Sequence, residues 1–291
     1  MFYSSHLHSL DILEVYRIYQ RITSVCAIRG FIMKNVCLEK KINLRKYYIL
    51  APIIPKYRLK KSLSKLDPHI WSIINHTILS NDSKYLFVKN SKAACSTVSH
   101  AFYQWQYRTA CEGNIHTCRQ LLQGSRHTPR VVSSLTDSEV FKFSFIRNPT
   151  KRAVSAFNNF FVDYKNKHRL KHMPFMKKLG FSASNSDDCN FDIFLDYLAN
   201  CFENDFGRID PHFRPQFYNV RPDFISYDFL GRVENLDHDI KYIMEKLRER
   251  GVSLDLPEVA RKNVSKGAYS PTESQVRKLE ILFSKDYDLF E

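Results

Sequence analysis

The sequence predicts an α/β fold: a three-layer sandwich with a mainly parallel central sheet and helices on both faces. Three observations support it. Short apolar runs alternate with amphipathic stretches; two of those runs, "KYLFVKN" and "EVFKFSFIRN", each break into a polar turn that opens a helix; and no repeat or low-complexity segment interrupts the alternation. With 291 residues, 44% of them hydrophobic and 14% aromatic, the chain can bury a core large enough for one such domain with appendages.

Residues 1–80 are of mixed character, with a helical pattern near 9–22, a basic stretch "KKINLRKYY" and the lysine-dense "PKYRLKKSLSK". They read as a basic, partly helical N-terminal extension to a domain over 81–291. The basic face of that extension is a candidate contact for a membrane surface or an acidic acceptor; the plainer reading is a solvated surface. Arg17, Arg21 and Arg29 interrupt the early apolar stretch, and "YYILAPIIP" is too short to span a bilayer. No signal peptide or transmembrane helix is therefore expected, and the expected location is cytoplasmic, with membrane association through the basic segment as the variant.

From residue 84 the pattern sharpens. "KYLFVKN" reads as a buried strand and "STVSHAFYQWQY" as a helix whose N-terminus falls at Ser96 or Thr97. Residues 113–134, rich in Gly, Ser, His and Arg, read as a loop or an excursion across the sheet edge. "EVFKFSFIRN" is a second strand, stopped by Pro149 and followed by the helical "KRAVSAFNNFFVDY". "FDIFLDYLANCF" is an amphipathic helix, "DPHFRPQ" a proline-bracketed loop, and "FISYDFLGRVE" a third strand candidate. "LDHDIKYIMEKLRERG" is a helix stopped by Gly251, and Ser270-Pro271-Thr272-Glu273 reads as a capping box that opens the last helix.

Lysine and arginine together number 44 against 30 acidic residues, a net charge of +14, which points to an anionic partner without choosing among nucleic acid, membrane, nucleotide phosphates and acidic glycan. The seven cysteines (26, 37, 95, 111, 118, 189 and 201) include no CxxC pair and no zinc-like cluster, so they read as reduced thiols.

The corner "VKNSKAACSTV" carries the chemistry. A turn from strand into helix aims backbone N–H groups and the positive end of the helix dipole at one point, which suits a phosphate or sulfate. Lys92 adds a point charge; Ser96 and Thr97 add hydroxyl donors. GxxxxGK[ST] is absent, and no acidic residue follows the second strand to hold magnesium, so a metal-independent donor is favoured.

Four segments in order carry a resemblance. "VKNSKAACSTV" resembles the 5′-phosphosulfate loop of the carbohydrate sulfotransferases (Golgi-type sulfotransferase family 2, here read as a soluble member), with Ser91 where that family usually has proline. "FSFIRNPTKRAVSAF" is similar to their 3′-phosphate segment, an arginine followed by a proline and, eight residues after the arginine, a serine. "DPHFRPQ" resembles their aspartate-x-His-aromatic-x-Pro-Gln loop, and "FLGRVENLDHDI" their later strand-to-helix segment. The resemblance runs from about residue 84 onward and implies a P-loop-like sheet and the donor 3′-phosphoadenosine 5′-phosphosulfate.

By that resemblance Lys92, with Ala94, Cys95, Ser96 and Thr97, cradles the 5′-phosphosulfate, and Arg147 and Ser155 grip the 3′-phosphate. Lys266, in the cationic stretch "RKNVSKGAYS" with Lys262 and Gly267, could close over it, or that stretch is a plain surface turn. Arg152 is either a surface cation or a packing partner. Sulfuryl transfer to a sugar hydroxyl needs a base, and His212 is the first candidate, the alternative being a histidine that only shapes its loop. His100, His116, His127 and the carboxylate of Glu234 stand in reserve. Trp105, Tyr107 and Phe213 are candidates to stack on a sugar ring or are core. The acceptor the resemblance implies is a carbohydrate (glycan or glycolipid), not nucleic acid. The rivals are a nucleotide kinase, which lacks its magnesium ligand, and a non-enzymatic polyanion-binding module, which would explain the net charge alone.

Overall fold

The computed structural model describes residues 68–203, 209–254 and 269–291. The helical pattern near 9–22, the basic arm and Lys266 lie outside the described residues.

Helix α1 (Pro68–His76) runs directly into strand β1 (Thr77–Leu79), and a tight turn returns the chain as β2 (Tyr85–Val88). Helix α2 (Cys95–Tyr107) leads to a single 3₁₀ turn (Ile115–Thr117), the short strand β3 (Leu122–Gln123) and α3 (Thr128–Thr136). Strand β4 (Phe141–Ile146) opens α4 (Pro149–Phe157), whose end widens into one π turn (Asn158–Val162). Then come α5 (Arg169–Lys178), α6 (Asp187–Phe202), the one-turn α7 (Gln216–Val220), β5 (Phe229–Arg232), a second 3₁₀ turn (Val233–Asn235), α8 (Leu236–Glu249), α9 (Glu273–Leu282) and α10 (Ser284–Phe290).

The strands form one sheet in the order β3-β1-β2-β4-β5. Pairs β2–β4 and β4–β5 are parallel, whereas β1 runs antiparallel to both β2 and β3. Every residue of β2 and β4 is buried, as expected of parallel strands covered on both faces. Alternation decides which layer each side chain joins. Tyr85, Phe87, Phe141, Phe143 and Phe145 pack against Val98, Phe102 and Trp105 of α2 and Ile240, Ile243 and Leu247 of α8. Leu86 and Val88 point the other way, to Ile70, Trp71 and Ile74 of α1 and Val131 of α3. Each such side chain taken fully out of water contributes about 2 kcal/mol. A third cluster, built on Phe157, Phe160, Phe161, Phe191, Phe194 and Phe213, joins α4, the π turn and α6 beside the sheet. On β5, Gly231 is set opposite Phe145, and a Cβ there would meet the Phe145 ring at 2.5 Å.

The sequence expectations need adjusting at several places. The stretch 113–134 crosses the sheet edge as expected, but it contributes β3 and most of α3, whose start is set by Pro129 near its N-terminus. Residues 165–178, a lysine-rich stretch for which the sequence predicts no element, are largely helical, as α5. Helix α2 begins at Cys95, and the third strand is only Phe229–Arg232. The last capping box is Thr272 with Gln275, two residues later than expected, since the Gln275 side chain reaches back to the Thr272 N–H. Trp105 and Phe213 are core residues. Among the described residues no helix is long and apolar enough to cross a membrane.

Candidate functional site

Three segments converge at the carboxyl ends of β2 and β4, where ligands sit in sheets of this kind. The first is the turn between β2 and α2. Lys92 and Ala94 both adopt left-handed backbone (φ 66° and 53°), and Ala94, the N-cap of α2, offers no side-chain cap. The first N–H groups of α2 are therefore left without a side-chain cap at the positive helix end, in a turn built on two left-handed residues, a kind of backbone that can receive an anion. The Lys92 ammonium makes no hydrogen bond or ion pair among the described residues. Burial, reinforced by Arg147 and Arg152, draws it down to about 8, against the opposing pull of Cys95 and Asp163. Such a lysine gains most when a negative group arrives.

The second segment is the turn from β4 into α4. Here Asn148 caps the helix with its own side chain, accepting the Lys151 N–H at 3.1 Å, and Pro149 sits in the first turn. The arginines turn toward the first corner. Arg147 Nη1 donates to the Lys92 carbonyl at 3.3 Å, while its Nε is buried without a hydrogen-bond partner. A buried guanidinium donor left over in this way is what an arriving oxyanion would satisfy. Arg152 is 2% exposed and is a packing partner, not a surface cation. Its Nε donates to the Ser91 carbonyl at 3.0 Å, and its Nη2 to the carbonyls of Pro211 and Arg214 at 3.1 and 2.9 Å. The Asp286 carboxylate lies 3.9 Å from Nη1.

The third segment is "DPHFRPQ". Gln216 joins the two corners: its Oε1 accepts the Arg147 N–H and an Asn90 amide proton, and its Nε2 donates to the Arg147 carbonyl at 2.8 Å. Asp286 of α10 in turn accepts the backbone N–H groups of Gln216 and Phe217, both at 2.8 Å. His212 is held through Nδ1, 2.6 Å from Asp210 Oδ1. Burial alone would raise Asp210, but the charge of His212 and hydrogen bonds from His168, His172 and His212 outweigh it and hold the carboxyl well below the usual range. An ionised Asp210 can only accept, so Nδ1 of His212 carries the proton and Nε2 is left to take one.

Of the residues expected from sequence, Lys92 and Arg147 are brought into contact. Ser96 Oγ lies 2.9 Å from His116 Nε2, so the excursion after α2 reaches back to this loop. Desolvation of the His116 ring, followed by Lys89, His212 and His100, lowers it below the ordinary histidine value, so these groups share one neighbourhood. Thr97 and Ser155 are buried on α2 and α4, and Ser155 makes no hydrogen bond to Arg147. His127 stands apart, at the start of α3. Glu234 accepts the Asn148 N–H at 3.1 Å beside Arg147, which makes it a support for the second corner. Asn90, His76, Asp210, Gln216 and Asp286 were given no role from sequence. His76 lies near Lys89, Arg214 and His212; burial first, then the charge of these neighbours, pushes it down to about 4. Of these five, Asp210 and Gln216 had a readable signal, as the two ends of the quoted "DPHFRPQ".

A largely parallel sheet whose strand ends present an uncapped helix start, a half-buried lysine and a partly unsatisfied arginine has the chemistry to hold a phosphate or sulfate ester. The profile of the Sulfotransferase family matches residues 75–291, so this chain belongs to that family. Carbohydrate sulfotransferase 14 of Danio rerio is 24% identical over 199 residues, 62% of this chain and 53% of the relative. The human protein of that name is also 24% identical, over 188 residues, 61% of this chain and 48% of the relative. Carbohydrate sulfotransferase 11 of Rattus norvegicus is 30% identical over 119 residues, 38% of this chain and 33% of the relative. The first two matches span about half the length of the relatives. No solved structure matches the chain.

Proposed function

We propose that this sulfotransferase moves a sulfuryl group from 3′-phosphoadenosine 5′-phosphosulfate to a hydroxyl of a carbohydrate acceptor, by in-line displacement and without a metal. The observation that carries the proposal is the β2–α2 corner, an uncapped helix start beside a half-buried Lys92 that has no ion pair among the described residues. That corner would receive the 5′-phosphosulfate, with N–H groups from the start of α2 and the Ser96 hydroxyl as donors. As the S–O bond to the leaving phosphate stretches, negative charge grows on the phosphate oxygen, and Lys92 would stabilise it most strongly in the transition state. Arg147 would grip the 3′-phosphate through its free Nε, with Ser155 on the same helix as a further candidate. His212 would take the acceptor's hydroxyl proton on Nε2 as the oxygen attacks sulfur, with Asp210 steadying the imidazolium. The carbohydrate acceptor is supported by the names of the relatives alone.

Calorimetry with adenosine 3′,5′-bisphosphate at fixed salt and without magnesium tests this, using the wild type, Lys92→Ala and Arg147→Ala, with ATP alongside. The expected result is binding of the bisphosphate in preference to ATP, weakened at least tenfold in each variant, about 1.4 kcal/mol or more. Equal binding of ATP, or indifference to both substitutions, would overturn the donor assignment and leave a salt-sensitive polyanion-binding module as the better account.

A further inference from the structure

The helix that follows the π turn opens with two histidines four positions apart, His168 as the N-cap of α5 and His172 in its first turn, so both project from one face. That face meets the loop that carries His212. Asp210 lies between them and divides its carboxylate in two. Oδ1 accepts the His212 backbone N–H at 3.0 Å and stands 2.6 Å from His212 Nδ1. Oδ2 stands 3.3 Å from His172 Nε2 and 3.8 Å from Nδ1 of the exposed His168.

His172 is fixed on every side. It is 1% exposed, and its ring lies edge-on to Phe160 and Phe213, at centroid distances of 5.7 and 4.8 Å. Its Nδ1 is 2.7 Å from the hydroxyl of Tyr197, a fully buried residue of α6. Phe160 also meets the His212 ring, at 5.2 Å. A phenylalanine would fill the same aromatic space. What the imidazole adds is two directed hydrogen bonds, one of them to the carboxylate that already holds His212.

The protons can be placed from this geometry. Since Asp210 Oδ1 accepts a backbone N–H, the carboxylate is an acceptor, and an N–H must face each of its oxygens: Nδ1–H from His212 and Nε2–H from His172. The remaining nitrogen of His172 then accepts the Tyr197 hydroxyl. Walled by aromatic rings, these bonds are stronger than they would be in water. A neutral imidazole in water prefers its proton on Nε2, the tautomer that would leave His212 no lone pair there for a hydroxyl proton.

We propose that His172 is a positioning residue for His212, an inference that rests on the reading of His212 as the base. Held by Tyr197, His172 pins Asp210 Oδ2, which sets Oδ1 against Nδ1 of His212 and keeps that ring in the tautomer whose Nε2 is open to the acceptor hydroxyl. When Nε2 takes the proton, the imidazolium finds its counter-charge already in place, with no rotation needed.

Protein labelled with ¹⁵N in its histidine rings tests this without donor or acceptor. Long-range proton–nitrogen correlation spectra above the histidine titration range read which ring nitrogen carries the proton, and His172→Gln and His212→Gln assign the two signals. The expected wild-type result is Nδ1–H at His212 and Nε2–H at His172. His172→Phe keeps an aromatic ring and removes both hydrogen bonds, so the ratio of Nδ1–H to Nε2–H at His212 should fall by about tenfold, as loss of one bond to a charged group implies. His172→Gln, whose amide still donates to Asp210, should restore most of the wild-type ratio. Tyr197→Phe removes a single hydroxyl and should move the ratio the same way by a smaller factor; it carries the test if His172→Phe does not fold. Either ring in the opposite tautomer in the wild type, a His212 ratio that neither substitution moves, or no rescue by glutamine would each overturn the proposal. A histidine of purely structural worth would cost stability on removal and leave the His212 tautomer as it was. If adenosine 3′,5′-bisphosphate fails to bind while the tautomers are as expected, the sulfuryl-transfer reading falls and the histidine network stands; the reverse result removes only the positioning role.

Discussion

The two strand-to-helix corners are made of similar sequence and put to opposite uses. At the β2–α2 corner the chain turns through two left-handed residues, leaves the helix start without a side-chain cap and gives the Lys92 ammonium no ion pair among the described residues. At the β4–α4 corner Asn148 closes the helix start, and the cations face inward to bond the backbone of the first corner through the carbonyls of Ser91 and Lys92. One corner keeps its donors available for an anion; the other spends most of its own on holding that first corner in shape. The pairing explains how a loop with serine in place of the usual proline can still be ordered: the arginines of the second corner supply the stiffness that a ring would have supplied.

Substitutions can break this division of labour, and the largest effect should come from Arg152. Removing its side chain leaves three carbonyls and the buried Asp286 uncompensated, so Arg152→Ala should lose about 3–5 kcal/mol of stability, read from the denaturant midpoint. A loss under about 1 kcal/mol would mean that Arg152 does not organise the two corners. Lys92→Ala comes next. It should fold normally yet release adenosine 3′,5′-bisphosphate from the donor about 10²–10³-fold more slowly at saturation, as expected when one transition-state donor is lost. A normal rate with weaker binding would restrict Lys92 to ground-state binding.

The third effect is one of pH. An anion beside Lys92 raises its pKa again, so in the window between about 8 and the ordinary lysine value the complex holds a proton that the free protein has released. Bisphosphate binding should therefore take up protons and weaken by up to about tenfold per pH unit above 8. Calorimetry in two buffers of different ionisation enthalpy measures the uptake directly, and a flat profile from pH 7 to 10 would assign the anion to another group. The smallest effect belongs to the second helix cap. Asn148→Ala should lose about 1 kcal/mol of stability and leave bisphosphate affinity nearly unchanged, which separates the structural corner from the binding one.

Much of this frame could be read from the residues. The buried strands β2 and β4 announce themselves as continuous apolar runs, and the corner after β2 is visible because a lysine and two hydroxyl residues stand where a strand gives way to a helix. Arg152 was harder to place, because a long cation on a helix is ordinarily a surface group and only its contacts with Ser91, Pro211 and Arg214 reveal the inward face. The clamp made by Gln216 was not legible either, since it joins Asn90 and Arg147 across 126 and 69 positions of chain. No local pattern encodes pairings of that range. Edge strand β3, two residues long, gives too little periodicity to register.

The hold that Asp286 keeps on the N-terminus of α7 bears on how the protein is made. The carboxylate that receives the Gln216 N–H is seventy positions further along the chain. A ribosome therefore delivers both corners, the His212 loop and the whole sheet well before the group that fastens them. Until residue 286 emerges, Arg152 lacks the buried carboxylate that faces it in the folded domain, and the nascent domain waits with that charge unmatched among the described residues, in a state that a chaperone or a protease could recognise.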